Sequence, residues 1–139
     1  DGDLATGGHH TVEDVGICLG MALSEALGDK RGINRYGNIM VPMDESLAMV
    51  ALDLSGRPFF AYEGGPVGEN IAGFDSSLVS EFFRAVVNHA RMTLHLRVLS
   101  GGDVHHTIEA LFKGFGKSLR QAVELDPRSA GIPSTKGVL

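Results

Sequence analysis

One pattern occurs twice in this chain. His9-His10-Thr11-Val12-Glu13 near the start is echoed by His105-His106-Thr107-Ile108-Glu109 near the end. The likeness extends downstream: Val15 matches Leu111, Leu19 matches Phe115, Gly20 matches Gly116, Leu23 matches Leu119 and Ala26 matches Ala122. Self-similarity of this kind is the mark of a duplicated unit. The apolar matches recur at intervals of three and four, which is the spacing of one helix face. Each copy is therefore expected to open a helix with His-His-Thr-x-Glu and to bury the opposite stripe.

The second copy is preceded by a strand pattern, Thr93 to Leu99, with Leu94, Leu96 and Val98 on one face and His95 and Arg97 on the other. Ser100-Gly101-Gly102 makes the turn into the motif. The first copy has the corresponding Thr6-Gly7-Gly8 turn but no strand ahead of it, because Asp1 lies only eight residues before His9. The chain is thus expected to be cut inside a repeat unit. Between the copies, Arg35–Val41, Ser46–Leu54 and Phe59–Tyr62 read as strands, and 64–73 reads as a loop. Asp75 is the expected N-cap of a helix carrying Leu78, Phe82, Val86 and Ala90. The segment 126–139 holds two prolines and reads as an irregular tail. Helices against one face of antiparallel sheets make this an α+β chain. Its 139 residues fit one domain. We take it as two pseudo-repeats, about 1–40 and about 41–139 including the tail.

The motif carries metal chemistry. On a helix, His9 and Glu13 share a face, and so nearly do His10 and Glu13. Neighbouring histidines diverge by about 100°, so they serve two ions better than one. Imidazole and carboxylate without thiolate suit manganese, iron, zinc or nickel. The single cysteine, Cys18, excludes a Cys-rich zinc site and an intrachain disulfide framework. One His-His pair alone would read as a helix cap or surface feature, but a duplicated His-His-Thr-x-Glu reads as a paired metal site. His95, on the strand before the second motif, becomes a further candidate ligand, whereas His89 fits a helix C-terminal charge. Arg35, Arg57, Lys113, Ser134 and Lys136 are scattered anion-binding candidates that together suggest a small phosphorylated substrate. Met43-Asp44-Glu45 adds two carboxylates that could cap a turn or move protons. A net charge of -5 argues against nucleic acid or an anionic membrane as partner. No apolar run approaches the ~18 residues of a membrane span.

An ordered set of motifs resembles imidazoleglycerol-phosphate dehydratase over nearly the whole chain. It runs through His9 to Asp14, Leu27-Gly28-Asp29-Lys30, Arg35-Tyr36-Gly37, Pro42-Met43-Asp44-Glu45 and Asp53-Leu54-Ser55-Gly56-Arg57-Pro58. It continues in Thr93-Leu94-His95, His105 to Ala110, Phe112-Lys113 and Pro133-Ser134-Thr135-Lys136-Gly137. The resemblance implies duplicated α+β half-domains, each with helices packed on one face of a four-stranded sheet (ribosomal protein S5 domain 2-like), the first half truncated. It implies a cytoplasmic lyase of histidine biosynthesis, two Mn2+ ions per site, and a homo-oligomeric shell of 24 subunits with sites between subunits.

By that resemblance His9, His10, Glu13, His95, His105, His106 and Glu109 map to metal ligands. Arg35, Arg57, Lys113, Ser134 and Lys136 map to substrate contacts, and Glu13 and Glu109 are the candidate catalytic carboxylates. Relatives carry an N-terminal stretch with a further histidine ligand and an acidic catalytic residue, acidic residues just before the first His-His, and an Asn where this chain has Asp103. The rival expectation is a non-catalytic or incomplete metal-binding member of the family.

Overall fold

The structure, a computed structural model, describes residues 2–5, 7–128, 131–137 and 139. Thr6, in the turn expected ahead of the first motif, lies outside the described residues. In order the elements are α1 (His9–Leu27), β1 (Tyr36–Met43), β2 (Ser46–Asp53), β3 (Phe59–Glu63), β4 (Asn70–Ile71), β5 (Phe74–Asp75), α2 (Leu78–Ala90), β6 (Thr93–Ser100) and α3 (Val104–Val123). The architecture is α+β. A four-stranded sheet in the order β1-β2-β6-β3 carries helices on one face, and β4 and β5 form a small separate ribbon.

β2 alternates strictly, burying Ser46, Ala48, Val50 and Leu52. Such period-two burial requires one covered face. Leu94 and Leu96 of β6 extend that face, and Leu111 and Phe115 of α3 pack onto it. The sheet is mixed rather than antiparallel throughout, since β3 runs parallel to β6 with Phe59 opposite Thr93. The chain leaves β3 through the β4–β5 ribbon and α2 before returning as β6, the crossover that a parallel pair needs. The ribbon occupies what reads in the sequence as plain loop. β1 pairs with β2 along its whole length, Tyr36 opposite Asp53 to Met43 opposite Ser46. The sheet therefore opens at Tyr36.

Two helix expectations need correction. Ser77, not Asp75, stands at the N-cap of α2; the Asp75 carboxylate accepts from the Ser77 N–H at 2.8 Å. The buried residues of α2 are Val79, Phe83, Ala85, Val86, Val87 and Ala90, with Leu78 and Phe82 only half-buried. α2 is covered on two sides, by the sheet and by α1, and that rotates and widens its buried stripe. α1 does not bury the face expected of it. Val15 and Leu19 are exposed by 54% and 37%, and Gly16 and Gly20 are buried instead. These glycines let α1 lie directly on the α2 backbone: a Cβ at Gly16 would meet the Phe82 carbonyl at 2.7 Å, and one at Gly20 the Val86 carbonyl at 2.7 Å.

Candidate metal and phosphate site

Each His-His motif opens its helix, α1 at His9 and α3 one residue before His105. Adjacent rings diverge as the helical geometry requires. The His9 and His10 ring centres are 6.1 Å apart at 73°, and those of His105 and His106 are 6.2 Å apart at 61°. Within each motif the first histidine faces the glutamate one turn on: His9 Nε2 is 3.9 Å from Glu13, and His105 Nε2 is 3.2 Å from Glu109. Lys113, another turn along α3, donates to Glu109 at 2.7 Å and holds that carboxyl below its ordinary range.

α1 lies parallel to α2, because Gly16 abuts Phe82 and Gly20 abuts Val86 and Ala90. Phe82 packs on Phe112 at 5.2 Å, and the ends of α1 and α3 share a groove lined by Leu23, Leu27, Leu119 and Val123. Both His-His ends consequently lie at one end of the helix layer. The β4–β5 ribbon stands between them, with Phe74 lining one cleft with His9 and another with His105.

The N-terminus of α3 is the better built of the two. Asp103 caps it, its carboxylate accepting from the His106 N–H at 3.0 Å. Asn and Asp cap helices about equally well, so this departure from the family pattern leaves the helix start intact. Glu45, at the tip of the β1–β2 hairpin, accepts from the Asp103 N–H at 2.8 Å and faces His106 Nδ1 at 3.3 Å. The Asp103 N–H, with lesser help from other donors, draws the Glu45 carboxyl down to about 2. The hydrogen bond to Glu45 in turn raises His106. Asp44, Glu45 and His106 offer ligand atoms all within 4.8 Å of one another.

His95 is exposed on the outer sheet face, its ring 5.4 Å from Phe59 and its backbone opposite Ala51. The structure does not bring it to either His-His pair within this chain.

The phosphate candidates divide. Arg35, Arg57, Ser134 and Lys136 line one open cleft of about 580 Å³ with Tyr36 and Pro133. Lys113 is not among them. Within the cleft Arg35 is already engaged: Nε and Nη2 donate to Asp53 at 2.6 and 3.0 Å, and Nη1 donates to the Pro133 carbonyl at 2.9 Å. That fork joins the tail to the sheet. Arg57 is exposed, at the turn after β2. Two cations given no role in the sequence reading hold this turn. Lys30, largely buried and with its ammonium lowered chiefly by that burial, donates to the Leu54 carbonyl at 3.1 Å. Arg91 donates to the Gly56 carbonyl at 3.1 Å. Both contacts cross more than twenty residues, so sequence spacing does not announce them, although Lys30 ends one of the motifs shared with the family.

The cleft and the His106 cluster lie at opposite ends of β1 and β2. Arg35 adjoins the Tyr36–Asp53 end, and Glu45 follows the Met43–Ser46 end. Eight residues at roughly 3.3 Å each separate them by roughly 25 Å. α3 gives a similar measure, since its N-cap Asp103 meets Glu45 and its Ala122 carbonyl accepts from the Arg35 N–H.

The residues fit a divalent metal by their chemistry: paired imidazoles, carboxylates one turn on, and no thiolate in the set. Cys18 is exposed on α1. Among the described residues no helix is long and apolar enough to cross a membrane.

Comparison with known proteins identifies the family. The family model for imidazoleglycerol-phosphate dehydratase matches residues 1–119. The chain is 57% identical to an imidazoleglycerol-phosphate dehydratase of Moorella thermoacetica, over all of this chain and 71% of that protein. It is 58% identical to one of Heliobacterium modesticaldum, over 99% of this chain and 71% of that protein. Among solved structures, the enzyme of Staphylococcus aureus superposes with a TM-score of 0.84 at 44% identity, covering 91% of this chain and 71% of that one. The Pyrococcus furiosus enzyme gives 0.81 at 41% identity, covering 94% and 71%.

Proposed function

The chain belongs to the imidazoleglycerol-phosphate dehydratase family of hydro-lyases, and from that premise we propose its reaction, its metal and its assembly. The reaction is the metal-dependent dehydration of D-erythro-imidazoleglycerol phosphate to imidazole acetol phosphate in L-histidine biosynthesis, carried out in the cytoplasm. The single observation that carries the reading is the duplicated His-His-x-x-Glu helix start, repeated with diverging rings at both copies.

His9, His10, Glu13, His105, His106 and Glu109 would hold the metal, with His95 added from a neighbouring copy; we assign Mn2+, two ions per site. A divalent ion bound there supplies Lewis-acid binding of the substrate imidazole. The chain's own residues then have two tasks. Arg57, Ser134 and Lys136 hold the phosphate far from the bond that breaks, so remote binding energy orients the reacting carbons. A carboxylate takes the poorly acidic C–H proton while hydroxide leaves the adjacent carbon, and the resulting enol becomes the ketone. Glu13 and Glu109 are the candidates. Glu109 is already paired with Lys113 and kept ionised, which favours ligation over a base role.

A separation of roughly 25 Å between cleft and metal end exceeds the reach of a small phosphorylated imidazole. One chain's phosphate cleft must therefore work with another chain's histidines. This supports a homo-oligomer, a 24-subunit shell by family resemblance. The test is mixing. His105→Ala and Arg57→Ala, each inactive alone, should regain activity when dissociated and reassembled together with Mn2+. Recovery no better than either variant alone would refute shared sites. Metal binding without turnover in the wild-type chain would instead make it a non-catalytic member of the family.

A further inference from the structure

The carboxylate of Glu45 lies where the tip of the β1–β2 hairpin meets the start of α3. Asp44, with a positive φ of 49°, makes the tight turn between β1 and β2 and brings Glu45 round to face the helix. Gly102 leaves room for it, since a Cβ there would meet Glu45 Cγ at 2.7 Å. Oε1 accepts from the Asp103 N–H at 2.8 Å and from the Ser46 hydroxyl at 3.1 Å. Oε2 lies 3.3 Å from His106 Nδ1. The Ser100 hydroxyl donates to the Glu45 carbonyl at 3.1 Å, which fixes the backbone as well.

An ionised carboxylate only accepts hydrogen bonds. His106 must therefore present Nδ1 as N–H, leaving the lone pair on Nε2. The second nitrogen of a metal-ligating histidine characteristically donates to a carboxylate in this way, which fixes both tautomer and ring orientation. Chelation by Asp44, Glu45 and His106 together would need the same oxygens. However, Oε1 is spent on two donors, and Asp44 stands back from Nδ1 at 3.8 Å.

We infer that Glu45 is a positioning residue: it locks His106 as the Nδ1–H tautomer and so presents Nε2 to the metal. This rests on the reading of His106 as a ligand, but its first test needs no metal. In metal-free protein with ring-labelled histidine, at a pH that leaves the ring neutral, long-range 1H–15N correlation reports the tautomer. The His106 signal is identified by its loss in His106→Asn. Wild type should show Nδ1–H, and Glu45→Ala should shift the population towards Nε2–H. An unchanged tautomer in Glu45→Ala overturns the inference whatever the metal does. If Glu45→Ala fails to fold, Glu45→Gln is read the same way, since it keeps one acceptor oxygen for three donors, the Asp103 N–H, the Ser46 hydroxyl and the His106 Nδ1–H, and should give a mixture; pure Nδ1–H there overturns the inference.

The second readout is titration with Mn2+ alone. Affinity should fall roughly 10- to 100-fold in Glu45→Ala, the usual loss when such a partner is removed. An affinity equal to wild type also overturns the inference, provided His106→Asn does weaken binding. If His106→Asn leaves Mn2+ affinity intact, it is the ligand assignment of His106 that fails, and the tautomer result still judges Glu45.

Discussion

Helices α1 and α3 carry the same motif within one residue of the same helical position and the same downstream apolar pattern, but the fold treats them differently. α3 lies on the sheet and buries Leu111 and Phe115, whereas their counterparts Val15 and Leu19 on α1 are exposed. α3 is capped by Asp103 and braced by Glu45; α1 starts from Gly8 with no side-chain cap. Thr107 is buried, its hydroxyl 3.0 Å from that of Ser46 and donating its one proton to the Asp103 carbonyl at 2.9 Å. Thr11 holds the same place in the repeat, and its hydroxyl is buried without a hydrogen bond among the described residues. One amphipathic pattern thus has two outcomes, decided by whether a sheet lies against it. The pattern specifies which face can be buried, and the partner element decides whether it is.

This contrast should appear first in stability, measured by urea unfolding of matched pairs. Leu111→Ala should cost about 2–5 kcal/mol, the usual range for a buried leucine. Val15→Ala in this chain should cost under about 0.5 kcal/mol, as for an open surface site. An equal loss at both positions would mean that the α1 face is covered in solution.

The glycine pair inverts the sign. Gly20→Ala presses a methyl into the α2 backbone and should cost about 1–3 kcal/mol by overpacking. A Cβ at Gly116 would meet nothing within 4 Å. Gly116→Ala should therefore stabilise by roughly 0.5–1 kcal/mol through helix propensity alone. Two changes of the same sign would show that the α1–α2 contact is not as close as described.

The smallest effect separates the threonines. Thr107→Val removes the hydroxyl that donates to the Asp103 carbonyl and should cost about 1 kcal/mol. Thr11→Val removes an orphan and should be neutral or slightly stabilising. Similar losses would place a hydrogen-bond partner on Thr11.

Much of this was legible in the sequence. The alternation of Thr93 to Leu99, the three-four spacing of the motif helices and the His-His repeat each depend on neighbours a few positions apart. What escaped depends on distant contacts. The parallel pairing of β3 with β6 cannot be told from antiparallel by alternation. The buried stripe of α2 is set by α1 as well as by the sheet, so Leu78 and Phe82 were one position out of phase with Val79 and Phe83. Asp53 is a strand-end carboxylate until the fold brings Arg35 onto it. Glu45 reads as a turn carboxylate, and only the hairpin's arrival at α3 reveals its two partners. The metal residues were visible because a helix supplies them locally. The cleft of Arg57, Ser134 and Lys136 was visible only as scattered polar residues, because the tail must return to the sheet to form it.

The central claim is that both His-His-x-x-Glu helix starts hold metal. Metal content after equilibrium dialysis against Mn2+ tests it most directly, on wild type, on His9→Ala with His10→Ala, and on His105→Ala with His106→Ala. Each double variant loses two imidazoles from one helix, and both should bind markedly less Mn2+ than wild type while keeping the wild-type circular dichroism spectrum. Metal content equal to wild type in both double variants would contradict the account.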